Sequence, residues 1–440
     1  MKNIITFTIW IAALSVTPVI GVAQSAFNFV FSHSLKTKGA TYVSPRDIYD
    51  PVKGYGWERE SLPDTSLASP AVKGTVRSTP LYFSVNLPEG NYDVKLVLGK
   101  DKQRAVATVK VENRRLMLEK VETAPGKTTT QWFTVHIRDS IIRPSNKVVA
   151  LKPRERNYRH WDHKLTIELN NAAPYVQQME VRKNNAARTI FLAGNSTVVD
   201  QPDEPWAAWG QMIPAFLVPH KIAVANYAES GETLKAFARE RRLEKIWSRA
   251  KPGDYLFIEF THNDQKPGGN HLDAFSGYKD TLRSWIAEAK ARKVVPVLVT
   301  SMHRRSFDST GKIENTLGDY PEAMRQVAAE EFVTLIDLNA MSKILYEAWG
   351  PERSLKAFVH FPANSFPDQP NELKDNTHFT AYGAYELARC VVMEIKRKIP
   401  ELSTQLRKDS ADFDPAKPML YENWQLPQSS LRLLSKPDGN

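Results

Sequence analysis

The second half of the chain alternates between short apolar runs and longer amphipathic stretches. Five runs have the length and composition of buried strands, at residues 189–193, 222–227, 255–260, 294–300 and 333–338. Helical periodicity is found between them at 232–249, 274–293 and 320–331, and a last helix is predicted over 381–398. Strands that alternate with helices build a parallel sheet covered on both faces. The pattern therefore predicts an α/β domain over residues 188–405.

Residues 24–185 have a different pattern, in which no long helical period interrupts the strand-like runs. Strands are predicted at 81–87, 92–98, 105–111, 132–137 and 165–169, with a Pro-Glu-Gly-Asn turn at 88–91. Many short strands joined by turns favour an all-β sandwich of the jelly-roll type. The hairpin around this turn resembles the galactose-binding-like β-sandwich modules of carbohydrate enzymes. Tyr55, Trp57 and Trp161 are candidates for stacking on sugar rings, with packing in a core or interface as the favoured alternative.

The first 23 residues resemble neither region. Lys2 precedes an apolar run from residue 4 to 22, and small residues lead to a cleavage position after Ala23. We therefore expect a signal peptide over residues 1–23 and a secreted or periplasmic protein. Polar residues and Pro18 within the run argue against the alternative, an uncleaved anchor helix. No other apolar run is long enough, so no integral membrane span is expected after cleavage.

The composition is that of an ordinary soluble protein, with 440 residues, 42% apolar and 25% charged. The formal net charge of +10 suggests an acidic ligand, a cell surface or nucleic acid, although such a charge also serves solubility. No nucleic-acid-binding motif is present, so no nucleic-acid partner is expected. Cys390 is the single cysteine, which excludes an intrachain disulfide, and its apolar helical surroundings predict a core position. Residues 406–440 are polar and proline-rich, which predicts an extended tail that lies on the surface or returns to the first domain.

Residues with catalytic chemistry follow the predicted strands. Ser196 follows the first strand, Gly231 the second and Asn263 the third, while Asp375 and His378 precede the last helix. In open parallel sheets the carboxyl ends of the strands meet at the edge where ligands bind. Hydrolysis of an ester requires a nucleophile, a base, an orienting acid and donors to the oxyanion. The order of these residues matches that requirement.

Four blocks of the sequence resemble the SGNH/GDSL hydrolase family, and the resemblance covers residues 188–400. In chain order they are the segments around Ser196, around Gly231, around Asn263 and at 375–378. Within this family, the Phe-x-His-Asn-Asp passage at 260–264 and Asp-Asn-Thr-His-Phe at 375–379 look like the rhamnogalacturonan acetylesterases. The resemblance implies a flavodoxin-like three-layer α/β/α domain without a cofactor or metal. It also implies that Ser196 is the nucleophile, His378 the general base and Asp375 its orienting acid. The N–H groups of Ser196 and Gly231 and the amide of Asn263 would form the oxyanion hole.

Two positions depart from the pattern of this family. Asn195 replaces the aspartate of Gly-Asp-Ser, and Thr261 replaces a glycine of the third block. The family's aspartate is mainly an acceptor that stabilises the turn, and asparagine retains one carbonyl acceptor. We therefore expect the protein to be active with asparagine at position 195, and we expect the Thr261 side chain to narrow the active site.

The resulting interpretation is an exported carbohydrate esterase that removes O-acetyl groups from plant cell-wall polysaccharide. The predicted partner is an acetylated acidic polysaccharide or oligosaccharide, with pectic rhamnogalacturonan favoured. The alternatives are a GDSL-type lipase or thioesterase, an inactive glycan-binding protein and a metal hydrolase built on His262, Asp264 and His271. The spacing of the last three residues matches no metal motif.

Two further hypotheses concern substrate charge and the first domain. Arg304 and Arg305 follow the fourth strand, so either could bind a uronate carboxylate near the acetyl group. Their alternative is pairing with Asp308 or exposure to solvent. The sharp change of pattern near Asn185 predicts that a fragment beginning near Ala186 still hydrolyses a small aryl acetate.

Overall fold

The computed structural model of the protein describes residues 26–438 with several gaps. The gaps are residues 33–36, 60–79, 100–101, 103, 171–174, 367–368, 409, 411, 425 and 431–435. The predicted signal peptide, residues 1–23, lies outside the described residues. Among the helices of the described part, none has the length and apolar character needed to cross a membrane.

The first region is built from twelve strands in its described part. They are β1 Ala26–Val30, β2 Thr41–Tyr42, β3 Tyr55–Trp57, β4 Leu81–Asn86, β5 Gly90–Gly99, β6 Ala105–Val111, β7 Arg115–Thr123, β8 Thr128–Ile137, β9 Ile141–Ile142, β10 Lys147–Val148, β11 Lys164–Asn170 and β12 Val176–Lys183. Two five-stranded sheets have the orders β2-β1-β12-β5-β8 and β3-β4-β11-β6-β7, and only β1 and β2 pair in parallel. Phe29 and Val94 of one sheet and Phe83 and Val109 of the other share one apolar core. The strand-rich first region is thus confirmed.

The second region contains the predicted parallel sheet. Its strands are β13 Arg188–Gly194, β14 Ile222–Asn226, β15 Tyr255–Glu259, β16 Val295–Val299 and β17 Thr334–Ile336, in the order β14-β13-β15-β16-β17. The helices are α1 Trp209–Met212, α2 Leu234–Arg239, α3 Arg242–Arg249, α4 Lys279–Ala291, α5 Tyr320–Glu330, α6 Leu338–Arg353, α7 Ala381–Lys398 and α8 Pro400–Ser403. Ile190 and Leu192 of β13 pack into one core, whereas Phe191 and Ala193 pack into another. Because both faces of β13 are covered, the α/β/α layering is confirmed.

Three elements of the second region differ from the sequence-based expectation. The helix predicted over 232–249 is two helices, because Arg241 adopts a left-handed conformation with φ of 64° between them. Helix α6 was not predicted, and it begins after Asp337, whose carboxylate accepts a hydrogen bond from the Ala340 N–H at 3.2 Å. An antiparallel hairpin, β18 Phe358–Phe361 and β19 Leu373–Phe379, precedes α7. Asp375 and His378, which were expected before the last helix, therefore lie on a strand.

The two regions share buried contacts rather than a thin linker. Leu116 joins one core of the α/β sheet, and Ile142, Val149 and Trp161 join the other. The ring of Trp161 stacks under the buried Arg138 guanidinium at 4.5 Å, so this tryptophan is an interface residue.

Buried ion pairs also cross this interface. Arg115 contacts Asp200 at 2.7 Å, and Arg242 contacts Glu155 at 2.5 Å. Lys245 contacts the Glu89 carboxylate at 2.6 Å. These pairs are almost fully excluded from solvent, so each side depends on the other for its counter-charge.

The C-terminal tail returns to the first region, which was one of its two predicted paths. Trp424 donates to the Glu119 carboxylate at 2.7 Å, and Lys110 donates to the Pro427 carbonyl at 2.7 Å. Ser429 is buried and donates to the Glu168 carboxylate at 2.8 Å. Cys390 is buried in helix α7, as predicted.

Candidate active site

Ser196 lies on a tight turn that directly follows strand β13. The turn begins at Gly194, where an added Cβ would lie 2.6 Å from Val198 Cγ2, so a side chain cannot be accommodated there. The Asn195 side-chain carbonyl accepts from the Thr197 N–H at 3.0 Å and from the Thr197 hydroxyl at 2.8 Å. The turn therefore fixes the serine at the carboxyl end of β13, which lies between β14 and β15 in the sheet.

The side chains of Ser196, His378 and Asp375 form one hydrogen-bonded chain. The distance from Ser196 Oγ to His378 Nε2 is 2.8 Å, and that from His378 Nδ1 to Asp375 Oδ2 is also 2.8 Å. Asp375 Oδ1 accepts from the backbone N–H groups of Thr377 at 2.9 Å and His378 at 3.0 Å. Burial opposes ionisation of Asp375, but the His378 hydrogen bond and charge and these N–H donors hold its pKa well below its ordinary value. Asp375 is thus an ionised acceptor that orients the imidazole.

Two other loops reach the same edge of the sheet. The loop after β14 is tied to the Ser196 turn, because the Glu229 N–H donates to the Gly194 carbonyl at 3.2 Å. Gly231 in this loop has φ of 81°, a left-handed conformation that favours glycine. Asn263 after β15 donates its amide to the Glu232 carbonyl at 3.0 Å, which joins the two loops. An amide nitrogen has two hydrogens, so one donor of Asn263 remains for a ligand.

We expect Asn263→Ala to lower kcat by about 10²-fold if the free amide hydrogen stabilises the oxyanion. The loss should appear in kcat, since the negative charge develops only in the transition state. Steady-state kinetics on a small aryl acetate measure it. Asn270→Ala, at a half-buried residue that accepts a hydrogen bond from Arg239, is the matched control. An unchanged kcat in Asn263→Ala would remove this residue from the oxyanion hole.

The two positions that depart from the SGNH pattern are both accommodated in the packing. Asn195 uses its carbonyl oxygen as the acceptor that stabilises the turn, as expected. The Thr261 hydroxyl donates to the Phe260 carbonyl and lies 3.3 Å from the Tyr278 hydroxyl. These contacts direct the threonine side chain toward neighbours outside the Ser-His-Asp chain.

A buried carboxyl group supports the nucleophile turn from below. Glu259, at the end of β15, accepts from Ser301 Oγ at 2.7 Å, Trp209 Nε1 at 2.9 Å and Thr197 Oγ1 at 3.1 Å. Burial raises the pKa of Glu259 to about 7, and these three donors only partly offset that effect. Glu259 therefore connects the ends of three strands beneath Ser196.

Arg304 and Arg305 are both engaged with protein acceptors. Arg304 donates to the Thr316 carbonyl at 3.2 Å and to the His262 carbonyl at 3.3 Å. Arg305 donates to the Pro351 carbonyl at 2.6 Å, to Ser354 Oγ at 3.0 Å and to Asn376 Oδ1 at 3.3 Å. Arg305 thus braces the segment that carries Asp375 and His378. Uronate binding by either arginine stays a prediction.

The three residues of the metal hypothesis do not converge. Asp264 accepts from the Leu234 N–H at 2.8 Å, whereas His271 lies 3.2 Å from Asp273, and the His262 ring is buried. Within the described ranges, no group of three or more His, Cys, Asp or Glu side chains is arranged to hold a metal ion.

Several residues near the site were not identified from the sequence. Trp206 Nε1 lies 3.4 Å from Asp375 Oδ2, although 169 positions separate them. Lys152 and Arg154, in a short turn of the β-rich region, contact the loop that carries Gly231. Asp438, near the end of the chain, contacts the same turn. The basic Lys-Pro-Arg-Glu-Arg run at 152–156 was the one available signal.

Comparison with known proteins places this geometry in a family. Residues 192–384 match the GDSL-like lipase/acylhydrolase family. A rhamnogalacturonan acetylesterase of Bacillus subtilis, RhgT, is 44% identical over 209 residues, which are 47% of this chain and 89% of the relative. A probable rhamnogalacturonan acetylesterase of the same organism, YesY, is 36% identical over 48% of this chain and 93% of the relative.

A third relative extends beyond the α/β region. The uncharacterized esterase YxiM of Bacillus subtilis is 27% identical over 384 residues, which are 84% of this chain and 91% of the relative. With the Ser-His-Asp chain at the edge of a 2-1-3-4-5 parallel sheet, these similarities show that the protein is an esterase and belongs to the GDSL-like lipase/acylhydrolase family.

Proposed function

We propose that this esterase is an exported carbohydrate acetylesterase, with acetylated pectic rhamnogalacturonan as the favoured substrate. The observation that carries the proposal is the chain from Ser196 Oγ through His378 to Asp375, with 2.8 Å at each step. Its support for an acetylated sugar substrate comes from the two relatives named as rhamnogalacturonan acetylesterases. Export rests on the signal peptide predicted over residues 1–23.

In this mechanism Ser196 Oγ attacks the acetyl carbonyl carbon while His378 Nε2 takes the serine proton. The carbonyl oxygen becomes an oxyanion, which accepts from the N–H groups of Ser196 and Gly231 and from the Asn263 amide. The C–O bond to the sugar then breaks, and His378 returns the proton to the leaving sugar oxygen. Water, deprotonated by His378, attacks the acetyl-serine, and acetate leaves as Ser196 regains its proton.

The mechanism predicts that kcat/KM falls as the solution becomes acidic, because a protonated imidazole cannot accept the serine proton. Since the pKa of Asp375 lies well below its ordinary value, this carboxylate stays ionised over the same range. Protonation of Asp375 should therefore not contribute to the acidic limb, and His378→Ala should remove the limb together with most activity. A pH profile measured with a small aryl acetate tests this. An acidic limb that persists in the residual activity of His378→Ala would assign it to another residue.

The substrate is tested by acetate release from acetylated rhamnogalacturonan fragments, acetylated xylan and a small aryl acetate. We expect turnover of all esters to depend on Ser196, with kcat/KM highest for the acidic pectic fragments. Higher kcat/KM on neutral acetylated xylan would contradict the pectic assignment while leaving the acetylesterase mechanism intact.

A further inference from the structure

Asp438 lies at the loop that carries the oxyanion candidate Gly231. A Cβ added at Gly231 would lie 3.0 Å from Asp438 Cβ and 3.8 Å from Asp438 Oδ2. The Asp438 carboxylate also accepts a hydrogen bond from Arg154 Nη1. A carboxylate of the protein itself therefore occupies the space beside the candidate site.

The arginine that holds this carboxylate is fixed by the rest of the protein. Arg154 Nη2 donates to Glu229 Oε1 at 2.8 Å and to the Ser230 carbonyl at 2.9 Å, and Nε donates to Glu229 Oε1 at 3.1 Å. These bonds leave Nη1 as the nitrogen that binds Asp438. An arginine that is ordered before its ligand arrives loses less conformational entropy when it binds a carboxylate.

Two charges of the tail lie near basic groups of the protein. Lys436 lies close enough to Lys266 that its charge, after burial and the charge of Arg304, helps to lower the pKa of Lys266. Lys266 Nζ in turn donates to Asn263 Oδ1 at 3.2 Å. The tail thus brings a positive charge at Lys436 into the electrostatic surroundings of Lys266 and a negative charge at Asp438 onto Arg154.

The first region supplies a second cation beside Gly231. Lys152 Nζ lies 2.5 Å from the Ser230 carbonyl and 2.6 Å from Glu232 Oε1. Burial raises the pKa of both Glu229 and Glu232 to about 7, against the lowering effect of the nearby cations. Two cationic side chains, Lys152 and Arg154, thus lie at the loop that carries Gly231.

We propose that Arg154 is the carboxylate-binding residue of this active site and that Asp438 occupies it when no substrate is bound. The ligand class is a uronic acid residue next to the acetylated sugar, whose carboxylate would replace that of Asp438. The inference rests on the proposed carbohydrate esterase function and narrows its substrate to acidic glycans. It places this uronate contact in the β-rich region, whereas uronate binding by Arg304 or Arg305 stays a separate prediction.

The substitution Asp438→Asn tests whether the Asp438 carboxylate competes with a ligand for Arg154. It keeps the size of the side chain and removes its charge. The readout is inhibition of aryl acetate hydrolysis by digalacturonate, with the neutral disaccharide galactobiose as the comparison. Because a partly exposed ion pair is weak, we expect the inhibition constant of digalacturonate to fall about two- to fivefold. Galactobiose inhibition should not change. Asp412→Asn, at a tail aspartate paired with the distant Lys396, should change neither constant.

The arginine itself is tested with two substitutions. Arg154→Gln should raise the inhibition constant of digalacturonate about tenfold, since a charge-assisted hydrogen bond to the carboxylate is lost. Arg154→Lys keeps the charge without the planar fork and should restore part of the affinity. Thermal unfolding establishes that each variant is folded. If Arg154→Gln does not fold, Asp438→Asn alone decides the question.

Two results would overturn the proposal. Asp438→Asn could change inhibition by the acidic and neutral disaccharides equally, which would make the tail a steric obstacle. Arg154→Gln could bind digalacturonate as the unmodified protein does, which would place the carboxylate elsewhere. Both tests use only aryl acetate turnover, so they remain interpretable if acetylated pectin is not the substrate. Failure of the proposed function would instead appear as absent acetate release from every polysaccharide.

Discussion

Ser196→Ala is expected to lower kcat by about 10³-fold or more while the protein remains folded. The substitution removes Ser196 Oγ, which lies 2.8 Å from His378 Nε2. The backbone of the turn should persist, because it is held by Asn195 and Thr197 rather than by the serine hydroxyl. Acetate release measures the loss of kcat, and near-ultraviolet circular dichroism of the same preparation shows whether the fold is retained.

The matched control for the nucleophile is Ser306→Ala. Ser306 is a half-exposed serine whose hydroxyl donates to Glu314 at 2.7 Å. Its kcat should equal that of the unmodified protein. Near-normal acetate release by a folded Ser196→Ala protein would refute the serine mechanism, because the reaction would then proceed without the Ser196 hydroxyl.

Arg115→Ala is expected to lower the free energy of unfolding by about 3–5 kcal/mol. Arg115 is on strand β7 of the first region, and its guanidinium binds Asp200 through Nε at 2.9 Å and Nη2 at 2.7 Å. Both side chains are almost fully buried, so removal of the arginine leaves an uncompensated carboxylate in the interior. Urea unfolding measures the loss.

The control for the interface is Arg104→Ala, which removes an exposed pair with Glu122 in the same region. The free energy of unfolding of that variant should equal that of the unmodified protein. If Arg115→Ala also left the free energy of unfolding unchanged, the buried ion pair would not stabilise the interface between the two regions.

The same interface reverses an expectation from the sequence. A fragment beginning near Ala186 would lose Arg115, Glu155 and Glu89, which are the partners of Asp200, Arg242 and Lys245 across the interface. We therefore expect this fragment to be insoluble or inactive on a small aryl acetate. The change of strand pattern near Asn185 located the boundary between the two kinds of sheet, but it carried no information about charges buried across it.

The sequence by itself determined the layers of the α/β region and the four chemical blocks. Strand β13 is apolar on both faces, and this periodicity required a sheet covered on both sides. Ser196, Gly231 and Asn263 each follow a strand, and the carboxyl ends of parallel strands share one edge. Local pattern and topology were therefore sufficient to bring these residues together.

Only the tertiary structure decided the break at Arg241, the strand that carries Asp375 and His378, and the position of Trp206. It also decided that Arg154 and Asp438, which are 284 positions apart, meet beside Gly231. Hydrophobic periodicity indicates which face of one helix or strand is buried. It does not indicate which charged residues that are distant in the sequence will form an ion pair. Contacts between the β-rich region, the tail and the active-site loops depend on long-range packing, which no local pattern in the sequence specifies.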